Sequence, residues 1–251
     1  MEATATGLLR KLTRQEADHY RNEGYHLYKK QLFSTDEQAK LTAIFEEQLA
    51  EKGSKLSDEM DTPHFRDKRL LDFLLSNKVL DLVEDILGPN IGLFSSHFIC
   101  KDPFVGRRTP WHEDSAYWKG KFDRLDKIVT IWLAIDDSTL ENGCMGVIPG
   151  THRNGFSDYE DIDGTTNTFN TEIKKGSFNE ADAVWFELKR GECSMHDARI
   201  IHGANANTSP KRRCGYTMRY FSLDMKFSGP AEHLLWQARG ENIAGNKLEI
   251  K

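Results

Sequence analysis

The feature that most constrains this chain is a change of hydrophobic periodicity near residue 90. Before it the pattern is helical. Thr13-Arg-Gln-Glu16 and Ser34-Thr-Asp-Glu37 each place a carboxylate three positions after a hydroxyl, the capping-box signature of a helix start. The second leads into Ala39, Leu41, Ile44, Phe45 and Leu49, close to one buried helical face. A third helical segment, 69–87, stops at Gly88-Pro89, a common helix ending. Residues 24–33 read as a short strand and turn. From Ile91 onward, segments 91–100, 128–135, 192–201 and 214–223 have β-type content and are separated by Gly, Pro and Asn turns. Helices first and strands afterwards predict an α+β domain, mainly a β-barrel, carrying a helical layer. At 251 residues the expectation is one domain, 1–251, with the layer at about 13–90 and the barrel at about 91–225. The polar stretch 153–182, rich in Gly, Thr, Asn and Asp, is a candidate lid, because a loop that long in a compact domain is usually functional.

Composition excludes several classes of function. Apolar residues make up 38% and charged residues 29%, a balance that supports a sizeable core. The formal charge of −5 carries no broad basic excess, so no nucleic-acid partner is expected. The basic clusters at 101–108 and 119–124 are short. No apolar run approaches the roughly 18 residues needed to span a bilayer, and residues 1–11 lack the apolar centre of a signal peptide. Cys100, Cys144, Cys193 and Cys214 lie far apart with no C-x-x-C pair, and read as reduced thiols. The expectation is a cytoplasmic protein with no membrane partner, acting on a small molecule; nothing in the sequence specifies its oligomeric state.

The sharpest chemical signal is Trp111-His112-Glu113-Asp114. In an extended strand residues i and i+2 point to the same side, so His112 and Asp114 can reach one metal ion together. They would make two-thirds of a 2-His-1-carboxylate triad, which leaves one face of the ion open. H-x-D alone also arises by chance, as a strand-end histidine beside a solvated aspartate. The third ligand must come from far along the chain, and His196 and His202 compete. His202 is preferred because of the residues after it: a turn, His202-Gly203-Ala204-Asn205, then Arg213 opening a segment in which Arg213, Gly215, Thr217, Arg219 and Phe221 share one face. A guanidinium there could grip a carboxylate bidentately, with Gly215 leaving space beside it. His196 stands as the alternative, or as a partly buried histidine on the same strand. In 128–135, Val129, Ile131, Leu133 and Ile135 form an apolar core face. Ile128, Thr130, Trp132 and Ala134 form a mixed face that suits a cosubstrate pocket, or one in which the tryptophan fills core volume. Arg107, Arg108, Lys119, Lys121 and Arg124 flank the metal motif; a subset could recognise a carboxylate, phosphate or phosphonate, against the plainer reading of solvated loop charge. Arg108, Tyr117 and Trp118 are the candidate substrate contacts.

Trp111-His-Glu-Asp-Ser-Ala-Tyr-Trp118, Ile131-Trp-Leu-Ala-Ile-Asp-Asp137, Glu141-Asn-Gly-Cys-Met-Gly-Val-Ile-Pro-Gly-Thr-His-Arg153 and His202-Gly-Ala-Asn-Ala-Asn-Thr-Ser, in that order, resemble the phytanoyl-CoA dioxygenase family. The strand from Arg213 to Tyr220 and Gly88-Pro-Asn-Ile91 extend the likeness over about residues 13–225. The resemblance implies a double-stranded β-helix, a jelly-roll or cupin-like core with iron in its mouth. It implies His112, Asp114 and His202 as Fe(II) ligands, and Arg213, eleven positions after the distal histidine, as the group that binds the far carboxylate of 2-oxoglutarate. Trp132 matches a position lining the cosubstrate pocket, with Thr130 on the same face, and His97 falls at another such position, where some members carry methionine. O₂ is the second cosubstrate, and succinate and CO₂ are the co-products. Related halogenases carry a small residue in place of the aspartate, so Asp114 favours hydroxylation. The expected activity is hydroxylation of a C–H bond in a small polar metabolite, anionic or zwitterionic, for example an aminophosphonate. The alternatives are an acyl-CoA or natural-product hydroxylase, a non-catalytic iron and 2-oxoglutarate sensor, and a cupin-like isomerase or hydrolase using Zn²⁺ or Mn²⁺.

Overall fold

Both capping boxes form: Thr13 and Ser34 accept from the backbone N–H of Glu16 and Glu37, and each glutamate accepts from the cap residue's own N–H. They open α1 (Arg14–Glu23) and α2 (Thr35–Lys52). The structure, a computed structural model, describes residues 11–53 and 60–251; residues 1–10, which the signal-peptide reading concerned, lie outside the described residues. After α1, Gly24 at φ 82° turns the chain, a conformation that favours a residue without Cβ, into β1 (Tyr25–Tyr28). Strand β2 (Met60–Asp61) follows α2.

The segment 69–87 is not one helix. A 3₁₀ turn leads into α3 (Leu71–Leu74), and a separate helix, α4 (Asn77–Leu87), starts after Ser76, whose hydroxyl accepts from the Lys78 N–H at 3.3 Å. A serine that bonds the backbone locally competes with helix continuation. Then come β3 (Ile91–Lys101), β4 (Thr109–His112), α5 (Asp114–Trp118), β5 (Ile128–Ala134), β6 (Met145–Val147), β7 (Tyr159–Asp161), β8 (Thr171–Ile173), β9 (Val184–Trp185), β10 (Cys193–Asp197), β11 (His202–Ala204), β12 (Arg213–Ser222) and β13 (Trp236–Arg239).

Every ladder between these strands is antiparallel. One sheet runs β1-β10-β5-β12-β3-β13 with β2 also paired to β3; a second runs β4-β11-β6-β9. The remaining pair, β7-β8, is a hairpin inside 153–182, so this stretch is partly built rather than a structureless loop. The two sheets form the core of a double-stranded β-helix. Among the described residues no ladder closes them into a barrel: closure needs edge-to-edge pairing, and strands of two to four residues in the second sheet offer few ladder positions.

The alternation read in 128–135 holds. Val129, Ile131, Leu133 and Ile135 pack with Met195, Tyr216, Met218 and Tyr220 against helix residues such as Leu41, Phe45, Val79 and Leu82. The other face points between the sheets. Cross-strand register sets it out in rows: Arg219, Thr130 and His196 lie opposite one another on β12, β5 and β10, and Thr217, Trp132 and Ser194 form the next row.

Segment 192–201 is two pieces. The Asp197 carboxylate accepts from the Arg199 N–H at 2.9 Å and its carbonyl from the Ile200 N–H at 3.2 Å, an Asx-type turn that ends β10 and carries the chain to the other sheet. His196 and His202 therefore sit on different strands of different sheets, not on one strand. Among the described residues no helix is long and apolar enough to cross a membrane, and all four cysteines are buried free thiols.

Phe98 is fully buried and stacks on Tyr216 with ring centroids 4.2 Å apart, while the Tyr216 hydroxyl donates to Ser96 Oγ at 3.0 Å. Phe98 also meets Phe45 of α2, ring centroids 5.2 Å apart. Phe98→Ala should lower the unfolding free energy by about 3–5 kcal/mol in a urea titration; a loss below ~1 kcal/mol would mean that Phe98 does not anchor the sheet to its helical layer.

Candidate metal centre and its cavity

Antiparallel pairing of β4 with β11 sets His112 directly opposite His202, and their ring centroids lie 4.1 Å apart. The Nδ1 of His112 is 2.8 Å from the Pro110 carbonyl and that of His202 is 3.0 Å from the Ile200 carbonyl. A carbonyl only accepts, so each Nδ1 carries the proton and each Nε2 keeps its lone pair, the tautomer a metal ligand needs. Burial moves His112 below, and His202 well below, the ordinary histidine range. Both imidazoles are thus held neutral.

Asp114 is not in the strand with His112, as the i, i+2 reading required, because β4 ends at His112 and Asp114 begins α5. Glu113 between them is still extended (φ −114°, ψ 129°), so the two side chains keep to one side. Asp114 Oδ1 lies 3.9 Å from His112 Nε2. One ligand atom from each of His112, Asp114 and His202 fits within 4.8 Å of the others, and all three residues are buried. The donor set is two neutral imidazoles and one carboxylate, which suits a divalent first-row metal. Burial alone would raise the Asp114 carboxyl; the Arg219 charge and the His196 contact outweigh it and hold the group well below the usual carboxylate range. With the imidazoles neutral, Arg219 is the standing cation beside this carboxylate.

The centre opens on a cavity of about 470 Å³ between the sheets. At one end stands Arg213, only 2% exposed. Its guanidinium reaches the Ile99 carbonyl at 3.5 Å, lies 5.3 Å from the Trp132 ring, and leaves Nε without a partner. Among the described residues no carboxylate pairs with it, although its neighbour Arg212 is paired with Asp136 and Glu46. A buried guanidinium with an unsatisfied nitrogen is costly unless an anion completes it. Gly215 leaves room for something other than expected: a Cβ there would come within 2.0 Å of Trp132 Cζ2. The glycine accommodates the indole that underlies Arg213.

Other expected residues are distributed unevenly. Trp132 and His97 line the cavity, as do Tyr117 and Trp118. Thr130 does not line it, and its hydroxyl donates to Asp114 Oδ2 at 3.5 Å. Arg108 is not at the site. It forms an ion pair with Glu172 and lines a separate pocket with Trp111 and Ile173, because the partner carboxylate on the hairpin draws it to the outer side of the small sheet. Arg107 lines the metal cavity instead, its guanidinium bonded to the carbonyls of Gly164 and Asn167. The 153–182 stretch also contributes Phe169, whose ring centroid lies 4.9 Å from that of His112.

Two residues at the centre have places that the sequence did not assign. Arg219, on the Arg213 face of β12, comes to 3.4 Å from Asp114 Oδ2. His196, the less favoured ligand candidate, still lies near it, its Nε2 3.9 Å from the same oxygen and its ring centroid 5.0 Å from that of His202. Parity along β12 was the signal for Arg219. Phe169 offered none: it is one of four aromatic residues scattered through the polar stretch 153–182, with Phe156, Tyr159 and Phe178.

Fold and site together define a double-stranded β-helix protein with a 2-His-1-carboxylate centre. The family model for phytanoyl-CoA dioxygenase (PhyH) matches residues 10–215, and the chain belongs to that family. It is 30% identical over 166 residues to a phytanoyl-CoA dioxygenase domain-containing protein 1 homolog of Dictyostelium discoideum, covering 64% of this chain and 57% of that protein. It is 29% identical over 175 residues to a probable alpha-ketoglutarate-dependent hypophosphite dioxygenase of Stutzerimonas stutzeri, covering 68% of this chain and 59% of that one. The matches thus span little more than half the length of these relatives. Among solved structures, the apo non-heme monooxygenase ThoJ shares the fold with a TM-score of 0.76 at 20% identity, over 94% of this chain and 86% of ThoJ.

Gly215→Ala should destabilise the protein by about 1–3 kcal/mol through overpacking against Trp132, measured by chemical denaturation. An unchanged midpoint and slope would show that the indole can move aside freely.

Proposed function

We propose that this protein is an Fe(II)- and 2-oxoglutarate-dependent dioxygenase that hydroxylates a C–H bond of a small anionic or zwitterionic metabolite. The observation that carries this reading is the presence, in one cavity, of a buried three-donor centre and a buried guanidinium that has no carboxylate partner among the described residues. His112, Asp114 and His202 would hold the iron, and Arg213 would take the far carboxylate of 2-oxoglutarate through its fork of donors. Bound there, the iron supplies the redox chemistry by which O₂ and 2-oxoglutarate give succinate, CO₂ and the hydroxylated product.

The chain's own residues supply binding, orientation and shelter. The carbonyls of Pro110 and Ile200 fix the two imidazoles with Nε2 inward. Trp132 lies beneath the Arg213 guanidinium and limits its movement. Arg213 and Arg219 stand six residues apart on one strand face, their Cα atoms roughly 20 Å apart at about 3.3 Å per residue. The cosubstrate anchor and the carboxylate side of the centre therefore lie toward opposite ends of the cavity, which leaves the Arg219 end for substrate. Phe94, Trp118, Phe122 and Phe227 line that part and exclude water, while Lys121 adds positive charge. This lining suits an acid head joined to a short apolar body. It also favours, as a second reading, a larger acyl or natural-product acid entering past the aromatic rim. The hypophosphite-related relative is consistent with recognition of a phosphorus oxyanion.

Anaerobic addition of Fe(II) and 2-oxoglutarate to the apoprotein should produce a visible charge-transfer band. Arg213→Met should weaken 2-oxoglutarate binding by at least about tenfold, the loss of one charge-assisted contact of ~1.5–3 kcal/mol, with Fe(II) binding retained. Absence of the band in the wild type would favour a metal isomerase or hydrolase and sink the proposal.

The substrate should emerge from a panel of carboxylates, phosphonates and acyl thioesters scored by succinate formed above the substrate-free background. For a hit bearing an acid group, Lys121→Met should raise the substrate KM about 3–10-fold, the ~1 kcal/mol of an exposed charge contact, and leave the 2-oxoglutarate KM unchanged. Equal effects on both constants would move Lys121 out of the substrate site.

A further inference from the structure

A carboxylate ligand can present one oxygen to a metal or both, and the choice decides how many positions remain for other ligands. The two oxygens of Asp114 have different surroundings. Oδ1 faces the imidazoles, 3.9 Å from His112 Nε2. Oδ2 faces the large sheet, where Arg219 Nε lies at 3.4 Å, the Thr130 hydroxyl at 3.5 Å and His196 Nε2 at 3.9 Å.

These three groups come from three adjacent strands and stand in one cross-strand row, Arg219 opposite Thr130 and Thr130 opposite His196. Same-face neighbours in such a row lie close enough to act on a single atom. Two further features bear on the row. The β12–β3 register shifts between Arg219 and Tyr220, and bulges of this kind re-aim a side chain beside functional sites. His196 Nδ1 is buried with no hydrogen-bond partner, so no second bond commits this ring to another orientation. The Arg219 guanidinium is steadied from behind, 3.5 Å from Ser95 Oγ and 5.5 Å from the Trp118 ring.

We infer that Arg219, with Thr130 and His196 beside it, is a positioning group that turns Asp114 so that Oδ1 alone faces the metal. The inference rests on the metal centre of the proposed function. Outer groups of this kind set ligand orientation and are typically worth about 10–100-fold in metal affinity. Arg219 contributes most, since it brings a full charge and the shortest contact. Thr130 adds a neutral hydrogen bond, and His196 closes the third side of Oδ2.

The test uses Co(II) as probe, added to the metal-free protein. Affinity is read by calorimetry and coordination by the Co(II) ligand-field spectrum, with thermal melting of the metal-free protein as a folding check. Arg219→Met should bind Co(II) about 10–100-fold more weakly and show an altered spectrum, because the released carboxylate is free to rotate and chelate. Thr130→Val, nearly isosteric, should move both readouts in the same direction by less, and it decides the matter if Arg219→Met does not fold. Folded variants that bind within twofold of the wild type with an unchanged spectrum would overturn the positioning role. A wild-type protein that binds no Co(II) would instead overturn the metal centre itself.

Discussion

The cross-strand pair of His112 and His202 is the contact on which the centre depends. Neither residue is near the other in sequence. The pairing exists because β4 and β11 are neighbours in a sheet of very short strands. Each ring is oriented by a backbone carbonyl two residues before it, so the tautomer follows from strand geometry and requires no further side chain. Asp114 reaches the same point from the end of the same strand. A centre built from strand ends at the mouth between two sheets has a rigid base and an open side, the arrangement that suits an ion meant to bind further ligands.

Burying that centre raises an electrostatic problem, and the large sheet answers it with two arginines. Arg219 stands against the Asp114 carboxylate and keeps it ionised in a site from which burial would otherwise drive the charge. Arg213 stands in a similarly buried place, over Trp132, with no carboxylate among the described residues to balance it. Both lie on the inward face of β12, whose other face, with Tyr216, Met218 and Tyr220, belongs to the core shared with the helices. One strand thus carries the chemistry on one side and the anchorage on the other. The helical layer matters to the site for this reason: it fixes the plane from which the cavity residues project.

Much of this was legible in residue order. The capping boxes, the switch to β-type segments at Ile91 and the two faces of 128–135 were correct because they depend on local bonds and on side-chain parity. Parity also set Arg213, Gly215, Thr217 and Arg219 on one face of β12. The errors arose where a short polar side chain redirects the backbone. Ser76 divides one apparent helix in two, and Asp197 divides one apparent strand, sending His196 and His202 to different sheets. Arg108 was misplaced for a different reason: the carboxylate that holds it, Glu172, lies on a hairpin inside a stretch with little pattern.

By itself the sequence determined the helical layer, the strand faces, His112 and Asp114 as candidate ligands with His202 preferred over His196 for the third, and the presence of an arginine eleven positions after His202. These depend on periodicity and spacing, which are properties of the chain taken a few residues at a time. Only the tertiary structure decided that the β segments form two open sheets, that His202 rather than His196 pairs with His112, that Gly215 makes room for Trp132, and that Arg219, Thr130 and His196 form a row behind Asp114. Those outcomes depend on which strands become neighbours and in what register. Register is set by burial and backbone pairing across the whole sheet, and no local stretch of residues contains it.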